Sequence, residues 1–109
     1  MDITQKELEN GILMLSLQGS LDVAGAGIAD DVLSGLSSDK IIADLTGVDF
    51  VASAGIRVLV KTAKALGGRG GKFALMNPDD QARRVMFTTG LDKIIPLTNS
   101  EQEAIAAVS

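Results

Sequence analysis

The stretch Lys40-Ile41-Ile42-Ala43-Asp44-Leu45-Thr46-Gly47-Val48-Asp49-Phe50-Val51-Ala52-Ser53-Ala54-Gly55-Ile56 decides how the chain folds. Ile41, Ile42, Ala43 and Leu45 form a near-continuous apolar run, the pattern of a strand covered on both faces. Thr46-Gly47 reads as a short polar turn, after which Val48-Asp49-Phe50-Val51 resumes the apolar character. Beyond Ser53, the apolar residues Ile56, Leu59, Val60 and Ala63 share one face of a helix running to Leu66. Ser53 stands just before that periodic segment, where an N-cap residue is expected, and a cap of this kind is worth roughly 1 kcal/mol.

Upstream, Ile3 to Leu8 predicts a rather polar edge strand, and Glu9-Asn10-Gly11 carries the Asn-Gly pair of a hairpin. Ile12 to Leu17 alternates as a second strand and ends in Gln18-Gly19-Ser20-Leu21-Asp22. Asp22 then caps a helix to about Leu36, with Ile28, Val32, Leu33 and Leu36 as its buried stripe and Asp30 and Asp31 facing water. Gly25-Ala26-Gly27 has no phosphate-loop lysine after it, so it reads as a closely packed or mobile helix start.

Downstream, Gly67 is the expected left-handed stop of the central helix, and the glycines to Gly71 make a connector into a strand over Lys72 to Met76. Asn77-Pro78 predicts another helix with proline at its first position, its inner face Ala82, Val85 and Met86, ending at Thr88-Thr89-Gly90-Leu91. Arg83 and Arg84 read as a solvated face. Ile94, Ile95 and Leu97 make a short last strand. Ser100 caps a final helix with Ala104, Ile105 and Val108 inward. A hairpin followed by alternating helices and strands is an α/β pattern: a small mixed sheet with about four helices packed on it, as one domain over residues 1–109.

Composition excludes several functions. The chain has no cysteine and no histidine. Thiolate chemistry, the commonest metal ligand and the usual catalytic triad are therefore absent. Ser53 has Ile56 three residues on, so a Ser-x-x-Lys pair is missing, and Lys61 and Lys64 lie about two and three turns away. Val51 in place of glycine removes the nucleophile elbow. A net charge of −4 argues against a nucleic-acid groove. No apolar run reaches the roughly 20 residues of a membrane span, and the first residues are not those of a signal peptide, so a cytoplasmic protein is expected. The expectation is a binding protein, not an enzyme.

Ser53 is the one residue that stands out. Small neighbours leave its hydroxyl open to a bulky partner, and a helix start tolerates negative charge. A phosphoryl group there adds about −1.5 to −2 charges at one surface point. The surface expected to meet a partner is Ala52, Ser53, Ala54, Gly55, Arg57, Val58 and Lys61, with the Ser20-Leu21-Asp22 turn.

The run Leu17 to Asp22 resembles the strand-to-helix signature of STAS domains. Asp44 to Ile56 resembles their central motif, and Thr89-Gly90-Leu91 their late turn. The likeness spans the whole chain, and the small single-domain form is similar to anti-sigma factor antagonists. The resemblance implies a mixed sheet with helices on one side. It implies binding, in the unphosphorylated form, to an anti-sigma factor that is also a serine kinase, which releases a sigma factor. It implies phosphorylation of Ser53 by that kinase, which supplies ATP and magnesium, and resetting by a serine phosphatase. No cofactor of its own, no nucleic acid and no membrane are implied; a monomer or weak dimer is expected. Ala52 departs from the family's usual acidic residue and Ala54 from its usual hydroxyl residue. They motivate an alternative: a STAS scaffold or transport-associated module that binds without being modified.

Overall fold

Lys40–Val51 forms one continuous strand of 12 residues in the computed structural model, which describes residues 1–109. Five strands, β1 (Asp2–Glu7), β2 (Ile12–Leu21), β3 (Lys40–Val51), β4 (Lys72–Met76) and β5 (Leu97–Thr98), form a single sheet. Four helices accompany them: α1 (Val23–Ser34), α2 (Ser53–Gly68), α3 (Asp80–Thr89) and α4 (Glu101–Val108). The expected turn at Thr46-Gly47 is instead an irregularity inside β3. The β2–β3 register shifts between Ser16 and Gln18, and again between Gly19 and Ser20, each time leaving one extra residue in β3. A one-residue bulge reverses which face the following side chains occupy. That is why Leu45, Val48 and Val51, spaced by three, all reach the same core. Asp44 holds the first bulge, accepting from the Thr46 N–H at 3.0 Å and its hydroxyl at 2.6 Å.

The strands lie in chain order, β1 antiparallel to β2 and every later pair parallel. Asn10 and Gly11, both at positive φ, turn the chain between β1 and β2. The three crossovers through α1, α2 and α3 step across the sheet in one direction. Right-handed crossovers then put all three helices on one face. Leu13, Leu15 and Leu17, Ile41, Ala43 and Leu45, and Phe73 and Leu75 face them. The alternate residues Ile12, Met14, Ile42, Ala74 and Met76 face α4, packing with its Ala104 and Val108. The helices are therefore not confined to one side: α4 follows the last strand, carries no crossover, and covers the other face.

Five other local expectations are corrected. The buried stripe of α1 is Gly25, Ala26, Ala29 and Leu33, while Ile28 is 44% exposed. Small residues win because the helix sits almost on the end of β2. In α2 the buried residues are Gly55, Ile56, Leu59, Thr62 and Leu66, with Val60 and Ala63 half-buried, and Thr62 satisfies its hydroxyl on the Val58 carbonyl at 2.9 Å. That helix runs past Gly67; the left-handed residue is Gly70, and the Gly71 N–H returns to the Leu66 carbonyl at 2.7 Å. Pro78 is not the first residue of α3. Asn77 still donates to the Thr98 carbonyl as part of the sheet, so Asp79 becomes the cap, accepting from the Ala82 N–H at 2.8 Å. The expected strand at Ile94 begins only at Leu97. Leu91–Lys93 is a 3-10 turn that drives Leu91 and Ile95 into the core, and Pro96 follows it.

Candidate functional site

The ends of β2 and β3 finish side by side, Ser20 opposite Phe50 and Leu21 opposite Val51. The Ala52 N–H donates to the Leu21 carbonyl at 3.0 Å, adding one more rung to the ladder. Extended backbone therefore persists through Ala52, whose φ is −99° and ψ 172°. It ends there, one residue sooner than a serine cap requires, so the helix already begins at Ser53. Ala52, not Ser53, is the N-cap, and it has no side chain with which to cap. Ser53 is the first residue of α2 and is exposed. The expectation that its hydroxyl caps the helix is corrected: the ladder took the cap position.

Close packing fixes this corner. A Cβ on Gly55 would stand 2.9 Å from both the carbonyl oxygen and the Cβ of Leu21. A Cβ on Gly25 would stand 1.9 Å from the Ser20 carbonyl oxygen. Asp22 caps α1, accepting from the Gly25 N–H at 2.8 Å. The Ser20 hydroxyl donates to Asp49 at 2.7 Å. From α3, Gln81 holds Val51 by both backbone groups: its carbonyl accepts from the Val51 N–H at 3.0 Å and its amide donates to the Val51 carbonyl at 3.2 Å.

Of the residues expected to meet a partner, Asp22, Ser53, Arg57 and Lys61 are exposed, and Ser20, Ala52, Ala54 and Val58 are half-buried. Leu21 and Gly55 are buried and present no side chain outward; they position the corner from beneath. Val58 packs partly against the main core. A shallow groove of about 310 Å³ separates α1 from α2 beside Ser53, lined by Val23, Ala26, Gly27, Ala54, Arg57 and Val58 among others. Lys61 spans it, donating to both carboxylate oxygens of Asp30 at 2.9 and 3.1 Å. That hydrogen bond, with a second from the Ser34 hydroxyl, holds the Asp30 carboxyl below its ordinary range.

Sequence reading missed three residues here. Gln81 sits in a helix that looked unrelated to the site, and nothing in its spacing marked it. Val23, 78% exposed, drew no reading, and Phe50, 45% exposed, read as part of the resumed apolar run after Thr46-Gly47. Phe50 was hidden by the bulge, which turns it outward while Val48 and Val51 stay in. Chemically the corner offers the free primary hydroxyl of Ser53 and a rim that mixes apolar side chains with Arg57 and the carboxylates of Asp22 and Asp49. No helix is long and apolar enough to cross a membrane.

Comparison with known proteins adds to this. The chain is 28% identical over 102 residues to the anti-sigma-F factor antagonist RsfB of Mycobacterium tuberculosis, covering 91% of this chain and 83% of that one. A crystal structure of an anti-sigma factor antagonist from Mycobacterium paratuberculosis superposes with a TM-score of 0.84 at 30% identity, covering 98% and 94%. The phosphorylated form of the Bacillus cell fate determinant SpoIIAA shares the fold, with a TM-score of 0.75 at 21% identity over 96% and 97%. The STAS domain model matches residues 4–104, and the chain belongs to the STAS domain family.

Proposed function

We propose that this protein is an anti-sigma factor antagonist whose binding is switched at Ser53. The unphosphorylated chain binds an anti-sigma factor through the corner around Ser53, the α1–α2 groove and the exposed Val23 and Phe50, and a sigma factor is released. The anti-sigma factor acts as a serine kinase and, with its own ATP and magnesium, phosphorylates Ser53. A serine phosphatase restores the hydroxyl. Ser53 is a substrate, not a catalyst. One observation carries the reading: Ser53 is exposed at the first position of α2, with the cap role left to Ala52. Its hydroxyl can thus be modified without removing a bond that holds the helix. A phosphoryl group placed there meets the unpaired amides of the first turn and stands one turn from Arg57, so the fold tolerates it. The partner, docked on the same surface, meets a new double charge and is expelled.

Intact mass after incubation with the cognate kinase and ATP tests this. One phosphate is expected on the wild type and none on Ser53→Ala, and Ser53→Asp should weaken binding by tenfold or more, a loss of about 1.4 kcal/mol. Phosphate retained on Ser53→Ala would remove the switch. Ala52 and Ala54 favour a second reading, a binding module that is never modified; tight binding with no phosphate transfer to Ser53 would establish it.

A further inference from the structure

β1 is the free edge of the sheet, and all its residues but the half-buried Ile3 are exposed. The Leu8 N–H donates across the hairpin to the Ile12 carbonyl at 2.8 Å. Leu8 and Ile12 continue the register that pairs Lys6 with Met14, Thr4 with Ser16 and Asp2 with Gln18. Since hydrogen-bonded pairs alternate along an antiparallel ladder, Leu8, Lys6, Thr4 and Asp2 spend their backbone groups on β2. Ile3, Gln5 and Glu7 direct theirs outward. We propose that this edge pairs antiparallel with β1 of a second copy of the chain, with Thr4 on the two-fold axis.

Two conditions select that register. Outward-directed residues must meet outward-directed residues, which leaves every second register. Among these, centring on Thr4 sets Ile3 opposite Gln5 of the second copy as the hydrogen-bonded pair, and Lys6 opposite Asp2 of the second copy, twice by symmetry. The next register, centred on Gln5, sets Lys6 against Thr4 and Asp2 against Leu8, and loses both charge pairs. Asp2, Thr4 and Lys6 share the face of Met14, and directly opposed residues of a ladder project to the same side, so the opposite charges can meet. Charged residues on an edge strand guard against indiscriminate pairing. Here they guard every register but one. The result is a ten-stranded sheet. Because the two β2 strands then run in opposite directions, the two Ser53 corners lie at opposite ends, both free.

The chain has no cysteine, so single cysteines report cleanly. Thr4→Cys places two thiols at a non-hydrogen-bonded pair, within disulfide reach, whereas Lys6→Cys leaves them about 14 Å apart. Under mild oxidation Thr4→Cys should cross-link at least about tenfold faster than Lys6→Cys. Sedimentation should show concentration-dependent dimerisation that is lost in Lys6→Glu and restored in Asp2→Lys/Lys6→Glu. These changes replace side chains only and leave in place the backbone bonds by which Asp2, Thr4 and Lys6 pair with β2. Equal cross-linking rates, or dimerisation insensitive to Lys6→Glu, or a monomer at every concentration, would overturn the proposal.

Discussion

Two glycines in one helical turn should respond oppositely to the same methyl group. At Gly25 an added Cβ would fall 1.9 Å from the Ser20 carbonyl oxygen, a backbone atom that cannot step aside. At Gly27 it would meet nothing within 4 Å. Gly25→Ala should therefore cost about 1–3 kcal/mol by overpacking, and Gly27→Ala should gain about 0.5–1 kcal/mol from helix propensity, both read by urea unfolding. Equal effects at the two positions would contradict the close packing of α1 on β2. The sequence marked both glycines as one feature, because a close approach between elements distant in the chain leaves no local trace. Asp30 makes a second prediction. Its carboxyl is held below the ordinary value, so its contribution is present above the unfolded value near 3.8 and is lost as pH falls through the depressed folded value. Lys61→Gln should bring the Asp30 titration, followed by carboxyl NMR, back up toward that ordinary value. An unmoved titration would show that Lys61 is not its partner in solution.

The start of α2 depends on α3, and this could not be read locally. Gln81 grips both backbone groups of Val51, two residues before Ser53. Gln81→Ala should cost about 1–3 kcal/mol, since it leaves a partly buried N–H and C=O unpaired. It should also loosen the corner, raising amide exchange at Val51 and Ala52 more than in α4; uniform change across the chain would argue against a local clamp. The elements that were legible carried their own signals: Asn10-Gly11 at the hairpin, Asp22 and Ser100 as caps, and Gly90 at positive φ where a helix ends. The errors came where tertiary structure overrode those signals. A ladder bond to Leu21 moved the cap from Ser53 to Ala52, a sheet bond from Asn77 postponed α3 past Pro78, and two bulges joined what looked like two segments into β3. The serine's exposure followed from the sequence; the reason for it, a cap role taken by its neighbour, did not.

The molecule has two unequal cores on opposite faces of one sheet. The larger joins α1, α2 and α3, and the smaller rests on α4, a helix of eight residues, too short to persist without its packing. Native-state hydrogen exchange should show α4 opening at a lower free energy than β3. Exchange of α4 only with global unfolding would show the two cores to be one cooperative unit. Strands laid down in chain order also bear on how the protein is made. Each strand leaving the ribosome finds the previous one already waiting at the border of the growing layer, and no later segment must be threaded between earlier ones. The hairpin and β3 can thus form a platform before the residues of β4 exist, so the serine corner should take shape during synthesis but wait for Gln81 to emerge before it is locked.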